Sequence, residues 1–276
     1  MAPIFTGGRM GFGRVDAPSG TAVGLSPISA TGGTKTTGSG PASGYTIHTF
    51  TSPGTFTVSS GSNNIQYLVV AGGGGGMYCE GNQNAGGAGG GGFRTNVPGH
   101  PLAGSALLVS PGSYSIQVGS GGPNFYWQNS PYATYNGQPS FIGSLIESAG
   151  GGASNVAGGS GGGGFAGPTP GFAGNTPPVS PPQGNPGGEG IPYNNSSGSG
   201  GGGAGGAGQP ASGPGAGGPG STIDINGSSG TYSAGGNGSQ RGNAPTPANS
   251  GNGGTSNYSG AGTSGAPGIV IIRYLS

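Results

Sequence analysis

The stretch Gln66-Tyr67-Leu68-Val69-Val70-Ala71-Gly72-Gly73-Gly74-Gly75-Gly76 joins a run of apolar residues directly to a run of five glycines. The continuously apolar part predicts a central β-strand over Ile65–Ala71. Glycine loses more backbone entropy on folding than any other residue, so five in succession require a structural reason. The sequence indicates that backbones approach one another here more closely than a Cβ atom would permit.

Similar glycine runs recur along the chain, which has 75 glycines and 25 prolines among its 276 residues. Their spacing does not follow the strict period of three that a collagen triple helix requires. Glycine and proline both adopt polyproline-II geometry, and glycine strands packed side by side can bond to one another through N–H and C=O groups. The runs therefore predict a bundle of polyglycine-II helices. They lie at Gly72–Gly76, Gly89–Gly92, Gly150–Gly152, Gly161–Gly164 and Gly200–Gly203.

Segments with strand character surround these runs. Alternation of apolar and polar residues predicts strands at Tyr45–Thr51 and Thr55–Val58. The segments Ala106–Val109 and Tyr114–Val118 are separated by turn residues and predict a hairpin. The aliphatic segment Ile269–Tyr274 is expected to return to these strands and close the domain. No window shows convincing helical spacing, and glycine disfavours helices.

The predicted fold is therefore all-β plus polyglycine-II, with essentially no α-helix. A small β-sandwich-like module is closed by the C-terminal strand and carries a glycine-rich bundle. We expect an N-terminal docking arm at residues 1–43 and a β-rich module at 44–148. A glycine-rich scaffold with loops follows at 149–267, and the closing strand occupies 268–276.

Charge is nearly absent, with six basic and five acidic residues and a formal net charge of +1. Nucleic-acid binding and polybasic membrane attachment both need clustered Lys and Arg, so we expect neither. No apolar stretch approaches the ~20 residues that span a bilayer, so membrane insertion is not expected. The start of the chain lacks the pattern of a secretory leader, which predicts synthesis in a cytoplasm.

Residues suited to catalysis or metal binding are few and scattered. The carboxylates form no recognisable pair, and the two histidines and the single Cys79 lack zinc-ligand spacing. No glycine run is followed by the Lys-Ser/Thr of a phosphate loop. We therefore expect a protein that is not an enzyme and that uses no metal and no cofactor.

The segment Asn124–Asn136 is the clearest candidate for binding, because it contains five aromatic residues, the only tryptophan among them. Rigid aromatic rings with adaptable polar neighbours provide contact area at low entropic cost, and such a surface suits sugars. The alternative is that the rings cover an edge of the β module or fill a subunit contact. A second polar insertion adds weaker candidates. The predicted receptor-binding residues are Phe125, Tyr126, Trp127, Asn129, Tyr132, Tyr135, Tyr193, Asn194 and Asn195.

The N-terminal segment has no hydrophobic periodicity and holds four of the chain's charges. Such a segment buries little apolar surface by itself and gains order against a partner. Within it, Met10, Phe12 and Arg14 are the predicted docking residues, with simple disorder as the alternative.

Several of these motifs together resemble a known group of glycine-rich tail-fibre and receptor-binding proteins of tailed phages. The resemblance covers residues 44 to 276 and rests on the order of strand, glycine run, strand and closing aliphatic strand. The chain is also similar, more loosely, to distal tail-fibre adhesins of T-even-like phages, in which polyglycine-II helices form a slab with variable tip loops. The motifs are Tyr45–Phe50, Gln66–Gly76, Gly90–Arg94, Gly112–Gly119 and Gly268–Tyr274.

This resemblance implies a virion structural protein, made in the host cytoplasm, whose glycine scaffold presents loops for host recognition. Its implied partners are other virion proteins, bound through the N-terminal arm, and a host cell-surface glycan or outer-membrane protein. Rotational symmetry is usual in fibres and favours a homotrimer. The chain lacks the long shaft of many fibres, which indicates a short appendage or a tip. The alternatives are a capsid or tail decoration without receptor affinity, or a non-viral ice-binding or surface protein.

Overall fold

The computed structural model describes residues 24–79, 85–164, 169–191, 197–239, 247–257 and 260–276. In these ranges the protein is all-β, with two short 3-10 helices at Gly40–Ala42 and Tyr132–Tyr135 and no α-helix. The strands are β1 (Ser29–Thr31), β2 (Thr34–Thr37), β3 (Tyr45–Phe50), β4 (Gly54–Ser60), β5 (Asn63–Val70), β6 (Met77–Tyr78), β7 (Phe93–Thr95), β8 (Leu107–Val109), β9 (Gly112–Gln117), β10 (Phe125–Tyr126), β11 (Ser140–Ile142), β12 (Ile146–Ser148), β13 (Ser221–Ile223), β14 (Gly230–Tyr232) and β15 (Ile269–Leu275).

Two antiparallel sheets form a sandwich. Sheet A has the order β1-β4-β9-β11-β12, and sheet B has the order β2-β3-β15-β5-β7 with β8 also paired to β5. Alternate residues of the strands point into the space between the sheets, as the period-two pattern predicts. The all-β fold is thus confirmed. The largest side chains of this core include Phe50, Phe56, Ile65, Tyr67, Val69, Ile116, Ile142, Val270 and Ile272.

The closing strand lies at the centre of sheet B. β15 pairs antiparallel with β3 on one side and with β5 on the other, so that Ile271 stands opposite both Thr49 and Leu68. All its residues except Leu275 are buried. The prediction that the last aliphatic segment returns to the first strands and closes the domain is therefore confirmed.

The second face of sheet B is also covered, which explains why β5 and β15 are apolar on both sides. Leu68, Val70 and Ile271 pack there against Ile223 and Ile225 of the β13–β14 hairpin region. Arg273 ties this layer to the sheet: its Nη1 donates to the Ile225 carbonyl at 2.9 Å, and its guanidinium lies 4.5 Å from the Tyr45 ring centre.

The hairpin predicted from Ala106–Val109 and Tyr114–Val118 is wrong. β8 pairs with β5, whereas β9 pairs with β4 and β11, so the intervening turn carries the chain from one sheet to the other. The Tyr114 hydroxyl holds this turn, because it accepts from the Ser110 amide at 3.0 Å and donates to the Ser110 carbonyl at 2.9 Å.

β5 continues beyond the sheet as a polyglycine-II helix over residues 71–76. Each amide of this segment donates to a neighbouring backbone, and every third residue bonds to the same neighbour, as three residues per turn require. The N···O distances are 2.9 to 3.0 Å. The donor and acceptor pairs are Ala71–Gly92, Gly74–Gly89, Gly72–Gln138, Gly75–Tyr135, Gly73–Ala266 and Gly76–Thr263.

The carbonyls of the same segment accept from three further neighbours, again with a period of three. Residues 72–77 thus have six backbone neighbours, three that accept their amide protons and run antiparallel, and three that donate to their carbonyls and run parallel. The accepting carbonyls are bonded in the pairs Gly151–Gly72, Gly122–Gly73, Gly254–Gly74, Ser154–Gly75, Phe125–Gly76 and Asn257–Met77, donor first. The predicted polyglycine-II packing is present.

Two other segments are surrounded in the same way. Residues 87–92 donate to residues of 149–152, 199–202 and 251–254, and residues 198–203 exchange bonds with 206–209 and 215–218 among others. The interior of the bundle is therefore mainly hydrogen-bonded backbone, and the sandwich core stops where the glycine runs begin.

The bundle and the sandwich interleave along the sequence. Residues 71–76, 86–92 and 119–125, within the predicted β module, lie in the bundle. β1 and β2 lie in the sheets although they precede residue 44, and β13 and β14 lie within the predicted scaffold. Strands of the sandwich thus continue directly into segments of the bundle.

This arrangement gives the molecule two ends. We call the end of the sandwich far from the bundle the base, and the end of the bundle far from the sandwich the outer end. Ser26 bonds to Ser62 just before β5 begins, and Ser276 follows the last residue of β15 and bonds to Gly44. Both are at the base, so the described chain enters and leaves at that end.

The buried His48 links β3 to neighbouring elements inside the sandwich. Its Nδ1–H donates to the Gly32 carbonyl at 2.7 Å, and its Nε2 accepts from the Tyr274 hydroxyl at 3.1 Å. Burial lowers the pKa of His48, and the positive charge of Lys35 lowers it further, against the opposite effect of the Gly32 carbonyl. Each ring nitrogen has the partner that a neutral imidazole requires, a carbonyl acceptor for Nδ1–H and a hydroxyl donor for Nε2, so the surroundings favour the uncharged ring.

We expect Gly74→Ala to destabilise the protein strongly. A Cβ at Gly74 would lie 2.1 Å from the Gly152 carbonyl oxygen, and both backbones are fixed by their hydrogen bonds. Overpacking of a rigid interior costs roughly 1–3 kcal/mol or more. Urea unfolding measures the loss.

The matched control is Gly104→Ala, where a Cβ would meet its nearest atoms at an ordinary 3.5 Å. This variant should stay within about 1 kcal/mol of the parent protein. Equal effects at the two positions would contradict close backbone packing as the reason for the glycines.

We expect stability to fall as the pH is lowered below 6.5, the ordinary pKa of histidine. The folded-state pKa of His48 is below that value, so the unfolded chain takes up a proton first. The stabilisation is complete above 6.5 and is lost as the pH falls toward the folded-state pKa. Urea midpoints at about pH 7.5 and about pH 5 measure the loss. In His48→Gln the difference between the two midpoints should be smaller, whatever the variant's absolute stability, and an unchanged difference would contradict this role.

Candidate functional site

Three chain segments that connect helices of the bundle meet at its outer end. β6 follows the helix 71–76, and it pairs in parallel with β10, with Phe125 opposite Met77 and Tyr126 opposite Tyr78. On its other side Tyr78 forms a parallel bridge to Asn257. The amide of Cys79 donates to the Asn257 carbonyl at 3.2 Å. The aromatic segment predicted from the sequence therefore lies on the end of the central polyglycine-II helix.

Phe125 belongs to a small core beneath this surface. Its side chain is 2% exposed and packs with Met77, Cys79 and Ala153. The Tyr135 ring stacks on it, with ring centres 4.3 Å apart and an interplanar angle of 12°, and the Tyr132 ring lies 5.5 Å away. These three of the predicted binding residues thus supply packing, and Phe125 offers almost no surface to a ligand.

Tyr78, Tyr126 and Trp127 form a second set of rings, which we call the aromatic surface. The Tyr78 and Tyr126 ring centres are 4.9 Å apart, and those of Tyr126 and Trp127 are 6.1 Å apart. All three side chains are only half-buried. Tyr132 and Tyr135 are also half-buried, and Trp127 packs against the core around Phe125 as they do, so the aromatic surface is defined by its ring contacts and not by greater exposure.

Hydrogen bonds fix the backbone around this surface. The Tyr132 hydroxyl donates to the Trp127 carbonyl at 2.6 Å, and the Trp127 amide donates to the Tyr78 carbonyl at 3.1 Å. The Asn129 amide donates to the Tyr126 carbonyl at 2.8 Å, closing a turn that leaves the Gln128 and Asn129 side chains exposed. The rings and the side-chain amides of Gln128 and Asn129 therefore project from a segment whose backbone is fixed by hydrogen bonds.

The surroundings are uncharged as far as the structure describes them. Lys35, Arg94, Glu147, Asp224 and Arg273 belong to the sandwich, and Glu189 lies on a bundle segment at 184–190 that bonds to other helices. Burial raises the pKa of the Cys79 thiol to about 12, so this cysteine is a neutral core residue. The aromatic surface therefore offers neutral polar groups and ring faces.

The remaining predicted site residues lie outside the described residues. These are Tyr193, Asn194 and Asn195 of the second insertion and Met10, Phe12 and Arg14 of the N-terminal arm. The sequence offered Tyr78 only as part of the weaker candidate insertion Met77–Asn84 and not as a binding residue, although its position two residues after Gly72–Gly76 places it at the end of the central helix. The pairing of Tyr78 with Tyr126 could not be read from the chain, because 46 intervening residues separate β6 from β10.

A groove of about 500 Å³ on the flank of the sandwich contains titratable groups. It lies between residues 97–101 and the β13–β14 hairpin, and includes His100 and Asp224. The His100 Nδ1 accepts from the Leu102 amide at 3.1 Å, so the Nε2–H donates to the Ser221 hydroxyl at 3.1 Å. Burial lowers the pKa of His100. In this tautomer the ring cannot accept the Ser221 proton, so the pair is not arranged as a nucleophile and base.

Other site types can be assessed over the same described ranges. There, no three His, Cys, Asp or Glu side chains gather in a group that could hold a metal ion. Helices of the length and hydrophobicity that a bilayer crossing needs are likewise absent from the described part of the chain.

Comparison with family models identifies most of the chain. The model of a family described as a glycine-rich domain matches residues 48–275, from β3 to the end of the closing strand. A search of curated proteins gave no match.

We expect Phe125→Ala to destabilise the outer end far more than Tyr126→Ala. The first variant removes a buried ring that holds Tyr132 and Tyr135, and loss of a buried aromatic ring costs about 3–5 kcal/mol. The second removes a half-buried ring at the surface. Urea unfolding measures the global effect, and amide exchange at Gly72–Gly76 reports local opening of the helix end. Equal effects of the two substitutions would contradict the division into core and surface rings.

Proposed function

The chain belongs to the glycine-rich domain family, and from this premise we propose that it is a virion structural protein, an appendage or tail-fibre adhesin that displays loops for recognition of the host surface. The observation that carries the proposal is the polarity of the fold. The described chain enters and leaves at the base, and the aromatic surface lies at the opposite end of the bundle. A protein anchored through its base would point this surface outward.

The frame suits such a task because it is rigid without a large apolar core. Backbone bonds hold each interior helix against six neighbours, and recognition segments on a rigid scaffold lose little further entropy on binding. Several connecting segments lie near one another at the outer end, since Tyr78 pairs with Tyr126 on one side and with Asn257 on the other. Their sequences can differ without changing the backbone bonds beneath them.

Adhesion in this proposal is multivalent. Individually weak contacts gain avidity when several copies share one particle, and a homotrimer would place three outer ends side by side. Other virion proteins would hold the base through the N-terminal arm, with Met10, Phe12 and Arg14 as the proposed docking residues. The partner at the outer end is a molecule of the host cell surface, and neither chemistry nor a cofactor is required of the chain.

Binding of the purified protein to host cells tests the proposal. The protein is displayed in many copies on beads, and we expect saturable attachment. Trp127→Ala should weaken attachment by about tenfold or more, because tryptophans at binding surfaces are typical hot spots. The matched control is Phe141→Ala, which removes a half-buried ring from sheet A, away from the outer end.

Each outcome has a defined meaning. Attachment that is lost in Trp127→Ala and kept in Phe141→Ala supports an adhesin that binds through its outer end. Folded protein that does not attach to host cells contradicts the adhesin and favours a structural decoration protein. Attachment that depends equally on both rings contradicts the outer end as the binding surface.

A further inference from the structure

We propose that the aromatic surface formed by Tyr78, Tyr126 and Trp127 binds a neutral sugar unit of a cell-surface glycan. This inference rests on the proposed function, since it names the chemistry of the partner at the outer end. It differs from the sequence-based expectation in its residues, because Phe125 is buried, Tyr132 and Tyr135 pack on the Phe125 ring, and Tyr78 joins the contact surface.

The shape of the surface is the first argument. The Tyr78 and Tyr126 rings are inclined at 38°, and the Tyr126 and Trp127 rings at 63°. The three rings therefore do not lie in one plane, and a flat ligand cannot contact all of them face to face. A puckered sugar ring has C–H groups on its faces and hydroxyls at its rim, which suits an angular set of aromatic rings.

The polar groups are the second argument. Ligand sites combine apolar and aromatic surface with a few placed polar groups that fix orientation. Gln128 and Asn129 are exposed directly after Trp127, and a side-chain amide both donates and accepts, as a sugar hydroxyl does. The Tyr126 and Tyr78 hydroxyls add the same dual capacity. Hydroxyl-rich ligands can thus be matched without any charged group.

The charge distribution is the third argument, and it favours a glycan over a protein. Protein interfaces are enriched in arginine together with aromatic residues, and charge pairs commonly set their register. The described charged residues lie in the sandwich, in its covering β13–β14 hairpin region and on the segment 184–190, so none of them belongs to the described segments that carry the aromatic surface, and Glu80, two positions beyond Tyr78, lies outside the described residues. Ring faces with neutral amides beside them have more to offer to a neutral sugar than to the loop of an outer-membrane protein.

The experiment uses Trp127, which is the only tryptophan of the chain, so that intrinsic tryptophan fluorescence reports on the aromatic surface alone. The full-length protein is titrated with glucose, galactose, mannose and N-acetylglucosamine. We expect a saturable change in emission with at least one of them, with a Kd in the millimolar range that is typical of about 4 kcal/mol of binding free energy. Sorbitol is the matched control ligand, because it has hydroxyls and no ring.

Variants locate the effect. Tyr126→Ala should weaken the saturable change by at least about tenfold, whereas Phe141→Ala should leave it unaltered. No saturable change with any of the four sugars, or an equal change with sorbitol, overturns the inference. An equal loss in both variants also overturns it, because the response would not depend on the aromatic surface.

Treatment of the host cells separates this inference from the proposed function. Attachment that is lost after periodate oxidation of the cell surface and kept after protease treatment supports the glycan. Attachment lost only after protease treatment leaves the adhesin standing and overturns the glycan in favour of a protein receptor. A sugar response without attachment to untreated cells keeps the sugar site and contradicts the adhesin.

Discussion

The close approach of glycine backbones is the constraint on which this structure depends. In a polyglycine-II helix each successive residue turns its N–H and C=O by a third of a revolution, so a short segment can bond to six neighbours at once. Residues 72–77 do this completely. The geometry leaves no room for a Cβ: one built on Gly72, Gly75 or Gly121 would stand 1.9 to 2.0 Å from a carbonyl oxygen. The net contribution of one hydrogen bond to the free energy of folding is only about 1 kcal/mol, so many bonds must form together to offset the backbone entropy that glycine loses.

The sandwich and the bundle are both stabilised by burial, but they bury different chemical groups, and each depends on the other. Sheets A and B bury apolar side chains, whereas the bundle buries mainly peptide groups, with small side chains such as those of Ala88, Ser154 and Ser199 among them. Strands such as β5 and β15 join the two layers without a break, so the sheets fix the lateral spacing and register at which the glycine segments begin. Isolated glycine segments would be solvated coil. The ordered strands hold the ends of the glycine segments close together, which lowers the entropic cost of assembling the bundle.

Much of this arrangement could be predicted from the sequence, because its signals are local. The period-two segments became β3 and β4, the apolar run became the central β5, and Ile269–Tyr274 became the middle strand of sheet B. The failures concern pairing. The segments at β8 and β9 have the appearance of a hairpin, yet the preference of each for a different sheet overrides the short turn. β1 and β2 lack apolar periodicity, since Ala30 is their only buried residue, and they are ordered by their neighbours β4 and β3.

The candidate site shows why packing and recognition need not be alternatives. The end of a polyglycine-II helix leaves backbone groups without partners, and β10 satisfies them, since Phe125 donates to Gly76 and Trp127 to Tyr78. In a strand, successive side chains point to opposite faces. Bonding of β10 to β6 therefore turns Phe125 inward beside Met77 and turns Tyr126 outward beside Tyr78. The segment that completes the hydrogen bonds of the frame therefore exposes Tyr126, and Trp127, which follows the strand, packs partly against the core and contacts the Tyr126 ring. A binding surface at this end is thus a consequence of how the central helix is capped, and its composition can change only at the outward positions.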